Sequence, residues 1–341
     1  MFPLILAFPV IGQGCSVSTT DGGVYKTVDG GEKWNQEVTI EDNKATLADS
    51  NTTKLLADPN NSDVVFMISA NQGLFVSNKF GDSWKRILPE TSTVYDIDAD
   101  PFNQGSFYAS VLLNNRGKII ASNNGGTDWN EIYTETGKGS YLTAVKADPF
   151  IKDSLLAVNS GGLLIRSLDR GNTWKPMFPF NEPVINLVVD KEMAGSLWVL
   201  TQKGVWHSVN GGIDFQHLEL NSEMGYSFSL LQKERGRLFL QTDKGLFQSA
   251  DDGNVWEKIV TLNNPSEFPV NTISFFPGAS DRKWAIGAGM TLYITEDDGI
   301  SFKAIQFDLS REVGSILVKS NDPNQILVGV KVINRNKLGV F

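Results

Sequence analysis

Acidic side chains recur at the third position of an eight-residue motif, Ser/Thr-x-Asp-x-Gly-x-x-aromatic, which occurs seven times in the chain. Two carboxylates facing each other across a cleft would suit the hydrolysis of glycosidic bonds. In chain order the third position holds Asp29, Lys79, Asn124, Asp169, Asn210, Asp251 and Asp297. A proton donor would not tolerate replacement by an amide or a lysine, so this pattern favours a structural turn over a catalytic group.

The other recurring positions of the motif also fit a turn. Glycine can adopt the positive φ that a tight turn requires, and Ser, Thr and Asp side chains can accept backbone N–H bonds within it. The fifth position is Gly31, Gly81, Gly126, Gly171, Gly212, Gly253 and Gly299. The eighth is Trp34, Trp84, Trp129, Trp174, Phe215, Trp256 and Phe302. We expect each aromatic side chain to pack under its turn or between neighbouring sheets.

The spacing of the motif predicts the elements that position it. Successive terminal aromatics are 50, 45, 45, 41, 41 and 46 residues apart, and periods in the forties with several short strands are typical of β-propellers. A Gly-apolar-apolar strand start precedes most copies, and two β-rich runs joined by an Asp-Pro turn come earlier still. Each unit therefore predicts four antiparallel strands, and seven units predict an all-β, seven-bladed β-propeller.

The two ends of the sequence are complementary halves of one blade. Residues 22–34 supply only a third and a fourth strand, whereas residues 314–341 supply a first and a second strand and a final Gly-Val-Phe. Pairing the two ends would close the ring and remove exposed sheet edges. Two segments, Gly23–Lys26 and Leu338–Phe341, compete for the third-strand position, and the sequence does not decide between them.

The turns resemble Asp-box repeats, also called bacterial neuraminidase repeats, and the resemblance covers nearly the whole chain after residue 16. Such repeats occur in sialidases, xyloglucanases, the sortilin propeller and propeller factors that assist photosystem II assembly. A copy in every blade is most similar to the assembly-factor and sortilin propellers. The resemblance implies a non-enzymatic, extracytoplasmic, protein-binding or assembly scaffold without a cofactor. The alternative is a sialidase-like or xyloglucanase-like glycoside hydrolase that acts in the propeller channel on a carbohydrate.

Outside the motif, no arrangement of residues marks an active site. A sialidase would need converging arginines, but the arginines are scattered: Arg116, Arg166, Arg170, Arg235, Arg237, Arg282, Arg311 and Arg335. Four further carboxylates belong to repeated Asp-Pro turns: Asp58, Asp100, Asp148 and Asp322. Asp96 and Asp98 alternate on a strand and are candidates for the channel, although chance patterning explains them too. The two histidines, His207 and His217, have no metal-ligand spacing, and we expect His217 to be exposed.

Three tryptophans lie outside the motif, and one insertion lengthens the first repeat. Trp198 and Trp284 fall in second strands and Trp206 in a third strand; core packing is the simpler interpretation, and a sugar- or peptide-binding surface is the alternative. The insertion, residues 37–53, is polar and lacks Gly and Pro. We expect it to be an exposed loop that could frame a partner site.

The N-terminal residues and the net charge bear on location and partners. The apolar stretch before Cys15 is too short to span a bilayer and resembles a bacterial lipoprotein signal, with Cys15 as the lipidated residue. This predicts a signal segment, 1–15, and a single propeller domain, 16–341, in a secreted or membrane-anchored monomer whose only membrane attachment is the lipid. The net charge of −9 argues against nucleic-acid binding.

Overall fold

We describe the fold from a computed structural model, in which residues 21–41, 45–137, 139–225, 227–234, 236–259, 270–278 and 282–332 are described. The first half of the strands are β1 (Gly23–Thr27), β2 (Asn35–Glu37), β3 (Thr52–Asp58), β4 (Asn61–Ser69), β5 (Gly73–Ser77), β6 (Lys85–Leu88), β7 (Thr93–Ala99), β8 (Phe107–Leu113), β9 (Arg116–Ser122), β10 (Asn130–Thr134), β11 (Leu142–Ala147), β12 (Leu155–Asn159), β13 (Leu163–Ser167) and β14 (Lys175–Pro179). The second half are β15 (Val184–Val189), β16 (Leu197–Thr201), β17 (Gly204–Ser208), β18 (Gln216–Glu219), β19 (Ser227–Glu234), β20 (Arg237–Thr242), β21 (Gly245–Ser249), β22 (Glu257–Ile259), β23 (Val270–Phe275), β24 (Trp284–Ala288), β25 (Thr291–Thr295), β26 (Lys303–Gln306), β27 (Glu312–Lys319) and β28 (Asp322–Lys331), and a 3-10 turn spans Ser222–Met224.

The described strands form seven antiparallel sheets of four strands each, which confirms the predicted all-β, seven-bladed β-propeller. Blades A to F are consecutive groups of four: A is β3–β6, B is β7–β10, C is β11–β14, D is β15–β18, E is β19–β22 and F is β23–β26. Blade G combines both ends of the chain in the order β27-β28-β1-β2. Two compact units contain these blades: unit 1 holds A, F and G, and unit 2 holds B, C, D and E.

Burial within a blade follows strand position. The second and third strands are short apolar runs, and β5, β12 and β16 are buried at every residue. Such strands are covered on both faces and therefore lack the polar-apolar alternation of a half-exposed sheet. The fourth strands, such as β6 and β14, are half-buried or exposed. The core therefore lies in the inner three strands of each blade.

Blade G closes on the N-terminal segment. Strand β1 pairs antiparallel with β28, with Gly23 opposite Val330 and Thr27 opposite Ile326. The third-strand position is thus taken by Gly23–Thr27, and the competing segment, Leu338–Phe341, lies outside the described residues. An ion pair between Arg311 and Asp21, 3.1 Å long, fixes the entry to β1 beside the start of β27.

The insertion at residues 37–53 is not the exposed loop that its polarity predicts. Ile40 and Leu47 are buried in a cluster with Trp84, and the backbone of Thr39 and Glu41 exchanges hydrogen bonds of 3.0 and 2.7 Å with that of Trp84. Ile40 and Leu47 anchor the insertion, although its other residues are mostly polar, because they pack against the indole of Trp84 in blade A. The expectation was wrong for this reason.

Side chains on the first strand of blade B accept hydrogen bonds from backbone N–H groups on the first strand of blade C. Asp96 on β7 accepts the N–H of Val145 at 3.3 Å and binds the Lys146 ammonium at 2.6 Å, and Asp98 accepts the N–H of Ala147 at 3.0 Å. These are unpaired donors of β11, the innermost strand of blade C, and a buried unpaired N–H is costly. Asp96 and Asp98 therefore have a structural role in joining blades B and C.

Candidate functional site

The eight-residue turns join the third and fourth strands of every blade and share one hydrogen-bond pattern. In each, the Ser or Thr hydroxyl at the first position accepts the backbone N–H of the glycine at the fifth, over 2.8–3.0 Å. That glycine has a φ between 82° and 98° in all seven turns. The conformation disfavours any side chain, which explains why glycine never varies here.

Where the third position is Asp or Asn, its side-chain oxygen accepts backbone N–H groups further along the turn. Asp169 Oδ1 accepts the Ser167 hydroxyl at 2.7 Å and the Thr173 N–H at 2.8 Å. Asn124 Oδ1 accepts the equivalent groups at 3.0 and 2.9 Å. An amide oxygen therefore replaces a carboxylate oxygen without loss of these bonds. In the two turns with Asn at the third position, the seventh residue is Asp, and Asn124 Nδ2 donates to Asp128 at 2.8 Å. These turns therefore keep a carboxylate, at the seventh position instead of the third.

The turn carboxylates are held in the ionised state. The Thr173 hydroxyl and backbone N–H lower the pKa of Asp169. The pKa values of Asp29, Asp251 and Asp297 are lowered chiefly by hydrogen bonds from the fourth residue after each aspartate, which is Lys33, Val255 and Ser301 respectively. A carboxyl group with a lowered pKa is a poor proton donor near neutral pH, so the turns have no general acid among these residues.

The terminal aromatics pack between neighbouring blades. The ring of Trp174 in blade C lies 5.5 Å from that of Tyr133 in the fourth strand of blade B, and its Nε1 donates to the carbonyls of Gly171 and Ile132 at 3.0 and 3.2 Å. Six of the seven aromatics are half-buried, whereas Trp84 is fully buried. Trp174 thus links the turn of blade C to the preceding blade, B.

The turn ends of the blades carry the exposed apolar side chains. A turn end is the end of a blade at which the first-to-second and third-to-fourth strand turns lie. Of the ten large apolar residues exposed in the described chain, nine are in these turns, with exposed fractions between 41% and 68%. They are Val28, Phe102, Phe150, Ile151, Leu168, Val209, Ile213, Val255 and Ile300. Large apolar side chains that are exposed on neighbouring blades indicate an interaction surface.

Negative charge gathers at the same ends. The seven eight-residue turns contain eleven acidic and three basic residues, a net charge of −8, while the whole chain carries −9. The remaining residues are therefore almost neutral in sum. Acidic and apolar side chains share the turn ends because both occupy turn positions that point away from the sheet.

Buried carboxylates elsewhere have structural partners. Asp100 accepts the Tyr108 hydroxyl at 3.0 Å, and Asp148 binds Arg166 at 3.0 Å. Glu135 accepts an amide N–H of Asn159 at 3.2 Å, and Glu182 accepts Thr201 and Trp206 donors at 3.1 and 3.2 Å. Glu135 and Glu182 precede the first strands of blades C and D and were not singled out from the sequence, because no motif surrounds them.

His207 in blade D occupies the strand position that Arg166 occupies in blade C. In blade C, Arg166 donates to Ser154 and Asp148, 12 and 18 residues earlier. In blade D, His207 Nε2 lies 3.2 Å from Ser196 Oγ, and Asp190 precedes His207 by 17 residues, one fewer than separate Asp148 from Arg166. Asp190 Oδ2 is buried and has no hydrogen-bond partner among the described residues. Burial lowers the pKa of His207, against the opposing effect of Asp252 and Asp190.

Aromatic rings enclose the two histidines. His207 stacks on Trp198 with 4.7 Å between centroids, and His217 lies 4.4 Å from Trp206. His217 is half-buried, not exposed as expected, because the indole of the adjacent strand covers it. Trp198 and Trp284 are fully buried, so of the three tryptophans outside the motif, Trp206 alone is partly exposed. These rings form packing layers within blades.

A groove lies where residues of blade E meet the end of β18 in blade D. It is a cavity of about 550 Å³ whose apolar floor includes Met224, Phe247 and Trp256, while Glu219 and Glu223 line it together with polar neighbours. Sugar-binding sites combine an aromatic surface with a few convergent polar groups. The groove thus combines aromatic rings with carboxylates, which is the kind of lining that a carbohydrate site requires.

The described ranges contain neither a metal-ion cluster nor a membrane-spanning helix. No cluster of three or more His, Cys, Asp or Glu side chains suited to a metal ion occurs among residues 21–332 where they are described. In the same part of the chain, no helix has the length and apolar character needed to cross a bilayer. Cys15, the predicted lipidation site, lies outside the described residues.

Comparison with known proteins gives the fold and no family. No protein-family model and no curated protein sequence matches the chain. Among solved structures, a GH74 xyloglucanase from Xanthomonas campestris is similar with a TM-score of 0.71 and 13% identity, over 83% of this chain and 51% of that enzyme. YCF48 bound to D1 peptide is similar with a TM-score of 0.63 and 13% identity, over 84% of this chain and 94% of YCF48.

A third structure with the same fold is the extracellular domain of a one-component system from B. thetaiotaomicron, with a TM-score of 0.62 and 14% identity, over 87% of this chain and 39% of that domain. The chain thus spans about half the length of the xyloglucanase and most of YCF48. Likeness at these identities establishes a propeller and carries no activity with it.

Proposed function

We propose that the protein is a non-enzymatic β-propeller that binds other proteins. The observation that carries the proposal is the gathering of nine exposed apolar side chains at the turn ends, where a soluble domain has no structural use for them. The likeness to YCF48 bound to D1 peptide, which extends over 94% of that chain, supports peptide binding by a propeller of this size.

The state of the carboxylates supports a non-enzymatic role. The turn carboxylates are ionised and bonded within their own turns, and Asp96 and Asp98 are bonded to the next blade. A glycosidase needs one carboxyl group that stays protonated and another that is free to attack or to activate water. None of these residues is free for that chemistry.

Binding to an array of random-sequence peptides, with the full purified chain as the probe, tests the proposal. We expect a subset of peptides to bind reproducibly, and we expect soluble xyloglucan and sialosides to remain uncleaved in a reducing-sugar assay. Failure of every peptide to bind would contradict the proposal. So would hydrolysis that persists through purification.

A glycoside hydrolase is the second candidate, and the groove on blade E favours it. Glu219 and Glu223 lie there with Phe247 and Trp256, a combination of carboxylates and rings that glycosidases use. If the groove is catalytic, Glu219→Gln and Glu223→Gln will each abolish cleavage of a glycan that the native chain hydrolyses. Glu257→Gln, on the adjacent strand β22 and outside the groove residues, is the matched control.

An extracytoplasmic location is part of the proposal. The likeness to an extracellular domain agrees with it, and the signal-like sequence that ends at Cys15 adds anchoring by lipid. Two or more acyl chains would hold the protein stably at a membrane. Fractionation of a bacterial host that expresses the native chain or Cys15→Ala tests this: the native chain should sediment with membranes and the variant should not. Identical distribution of both would exclude lipid anchoring.

A further inference from the structure

The exposed apolar residues are unevenly divided between the two units. Unit 2 holds seven of the nine on its turn ends, and they occur on all four of its blades. Phe102 is on blade B, Leu168 on blade C, Ile213 on blade D and Val255 on blade E. Unit 1 holds only Val28 and Ile300, one on each of blades G and F. A row of such residues along four consecutive blades is a surface, whereas single ones are ordinary.

Hydrogen bonds tie the turns of these four blades together. Arg170, in the turn of blade C, donates to the Ser106 hydroxyl of blade B at 3.3 Å. Arg166 of blade C donates to the carbonyl of Gly211, in the turn of blade D, at 3.4 Å. Trp198 of blade D donates to the carbonyl of Asp252, in the turn of blade E, at 3.1 Å. The row is therefore held in one arrangement before any ligand binds, which reduces the entropic cost of binding.

Carboxylates alternate with the apolar side chains along this row. The four eight-residue turns of unit 2 contain five acidic residues and one basic residue, Arg170. Arg170 lies 3.9 Å from Asp153, whereas Asp128, Asp214 and Asp251 have no ion-pair partner within 4.0 Å among the described residues and are exposed. A surface with exposed apolar groups and unpaired negative charge is complementary to a ligand that has apolar groups and positive charge.

We propose that the turn ends of blades B to E form a docking surface for a basic amphipathic segment of a partner protein. The inference rests on the proposed function and specifies its ligand. Apolar side chains of the segment would cover Leu168, Val209 and Ile213, and its Lys or Arg side chains would pair with Asp128, Asp214 and Asp251. Because this pairing is between charged side chains, it should weaken as the salt concentration rises.

Fluorescence anisotropy with two labelled peptides tests the surface. One peptide alternates Leu and Lys, and the other has Glu in place of every Lys. The full chain should bind the basic peptide at least about tenfold more tightly than the acidic one, and the difference should shrink as salt is raised. The double variant Leu168→Ser/Ile213→Ser should weaken binding of the basic peptide by roughly tenfold, since two buried apolar contacts are lost.

Unit 1 supplies the matched control, because Val28 and Ile300 occupy the second and sixth positions of their turns, as Leu168 and Ile213 do. The double variant Val28→Ser/Ile300→Ser should bind the basic peptide as the native chain does. Equal weakening by both double variants, or equal binding of both peptides, would overturn the docking surface. If peptides from the random array still bound in that case, the proposed function would stand; if none bound, both would fail.

Discussion

Replacement of His207 by arginine should stabilise the protein, because blade C already shows the arginine in use. There Arg166 donates to Ser154 at 3.1 Å, to Asp148 at 3.0 Å and to a neighbouring carbonyl at 3.4 Å. In blade D the only equivalent contact of His207 is to Ser196. One buried oxygen of Asp190 is left without a partner, and such an oxygen carries an unrecovered desolvation cost.

The expected gain follows from the bonds that would form. A hydrogen bond from a charged donor to a buried carboxylate contributes about 1.5–3 kcal/mol. Ordering the arginine side chain costs up to about 1.5–2 kcal/mol, which exceeds the cost for histidine. The guanidinium can stack on Trp198 as the imidazole does, so that contact is kept. We therefore expect His207→Arg to raise the free energy of unfolding by about 1 kcal/mol.

Urea unfolding followed by tryptophan fluorescence measures this change. Arg166→His is the reciprocal variant and should lose stability, and Asp190→Asn combined with His207→Arg should remove the gain, as a double-mutant cycle. Because burial lowers the pKa of His207 in the folded state, the unfolded chain binds a proton first as pH falls below about 6.5. Native stability should therefore decrease there, and that component should be missing from His207→Arg.

The reasoning would be refuted if His207→Arg destabilised the protein at neutral pH, or if the gain survived removal of the Asp190 carboxylate. Either result would mean that the Asp190 oxygen is not the group that lacks a partner, or that blade D cannot accommodate the guanidinium in the orientation seen in blade C.

Three further predictions concern the eight-residue turns. Trp84→Ala should cost about 3–5 kcal/mol, as for a buried tryptophan, and Trp174→Ala clearly less because Trp174 is half-buried; chemical denaturation compares them, and equal losses would contradict the burial argument. Gly171→Ala should destabilise the fold by more than Gly125→Ala, since a Cβ at Gly171 would lie 2.5 Å from a side chain of the preceding blade and one at Gly125 meets nothing within 4 Å; thermal melts of the two variants decide this. The Ser301 hydroxyl lowers the pKa of Asp297, so the ionised Asp297 carboxylate stabilises the fold above about pH 4, and this stabilisation is lost as pH falls through the pKa of the folded state. The decrease in unfolding free energy at acid pH should therefore be shallower in Asp297→Asn than in the native chain. An unchanged decrease would show that the carboxylate charge is irrelevant.

The fold was predictable because the eight-residue motif, which marks one blade, occurs seven times at a nearly regular spacing. A glycine that requires positive φ and an aromatic that requires burial fix each third-to-fourth strand turn, and the spacing between turns leaves room for two more strands. The fate of Asn124 and Asn210 was also predictable, since an amide oxygen accepts the same N–H groups as a carboxylate. These features depend on local bonds, which the sequence encodes locally.

Long-range pairings were not predictable. Ile40 and Leu47 belong to a polar stretch and gave no signal that Trp84 would be covered by them. Asp190 is followed by Lys rather than Pro, so the Asp-Pro pattern missed it although it occupies the same buried position as Asp148. The turn-end surface was equally hidden, because single exposed residues such as Leu168 and Val255 become neighbours only when the blades are assembled. The interpretation of the eight-residue turns as Asp-box repeats, and of Cys15 as a lipid site, remains a prediction.

Because β1 pairs with β28, the N-terminal strands remain without their partner strands while the rest of the chain is synthesised. Strands β1 and β2 leave the ribosome first, but their partner strands, β27 and β28, follow almost 300 residues later. At translation rates of about 5–20 residues per second, that interval lasts roughly 15–60 s. During it, β1 and β2 amount to a two-stranded hairpin, which is marginally stable alone and has an open edge. The nascent chain must therefore be kept from pairing with other chains until its last blade is complete, and any truncation before residue 331 would leave that edge open permanently.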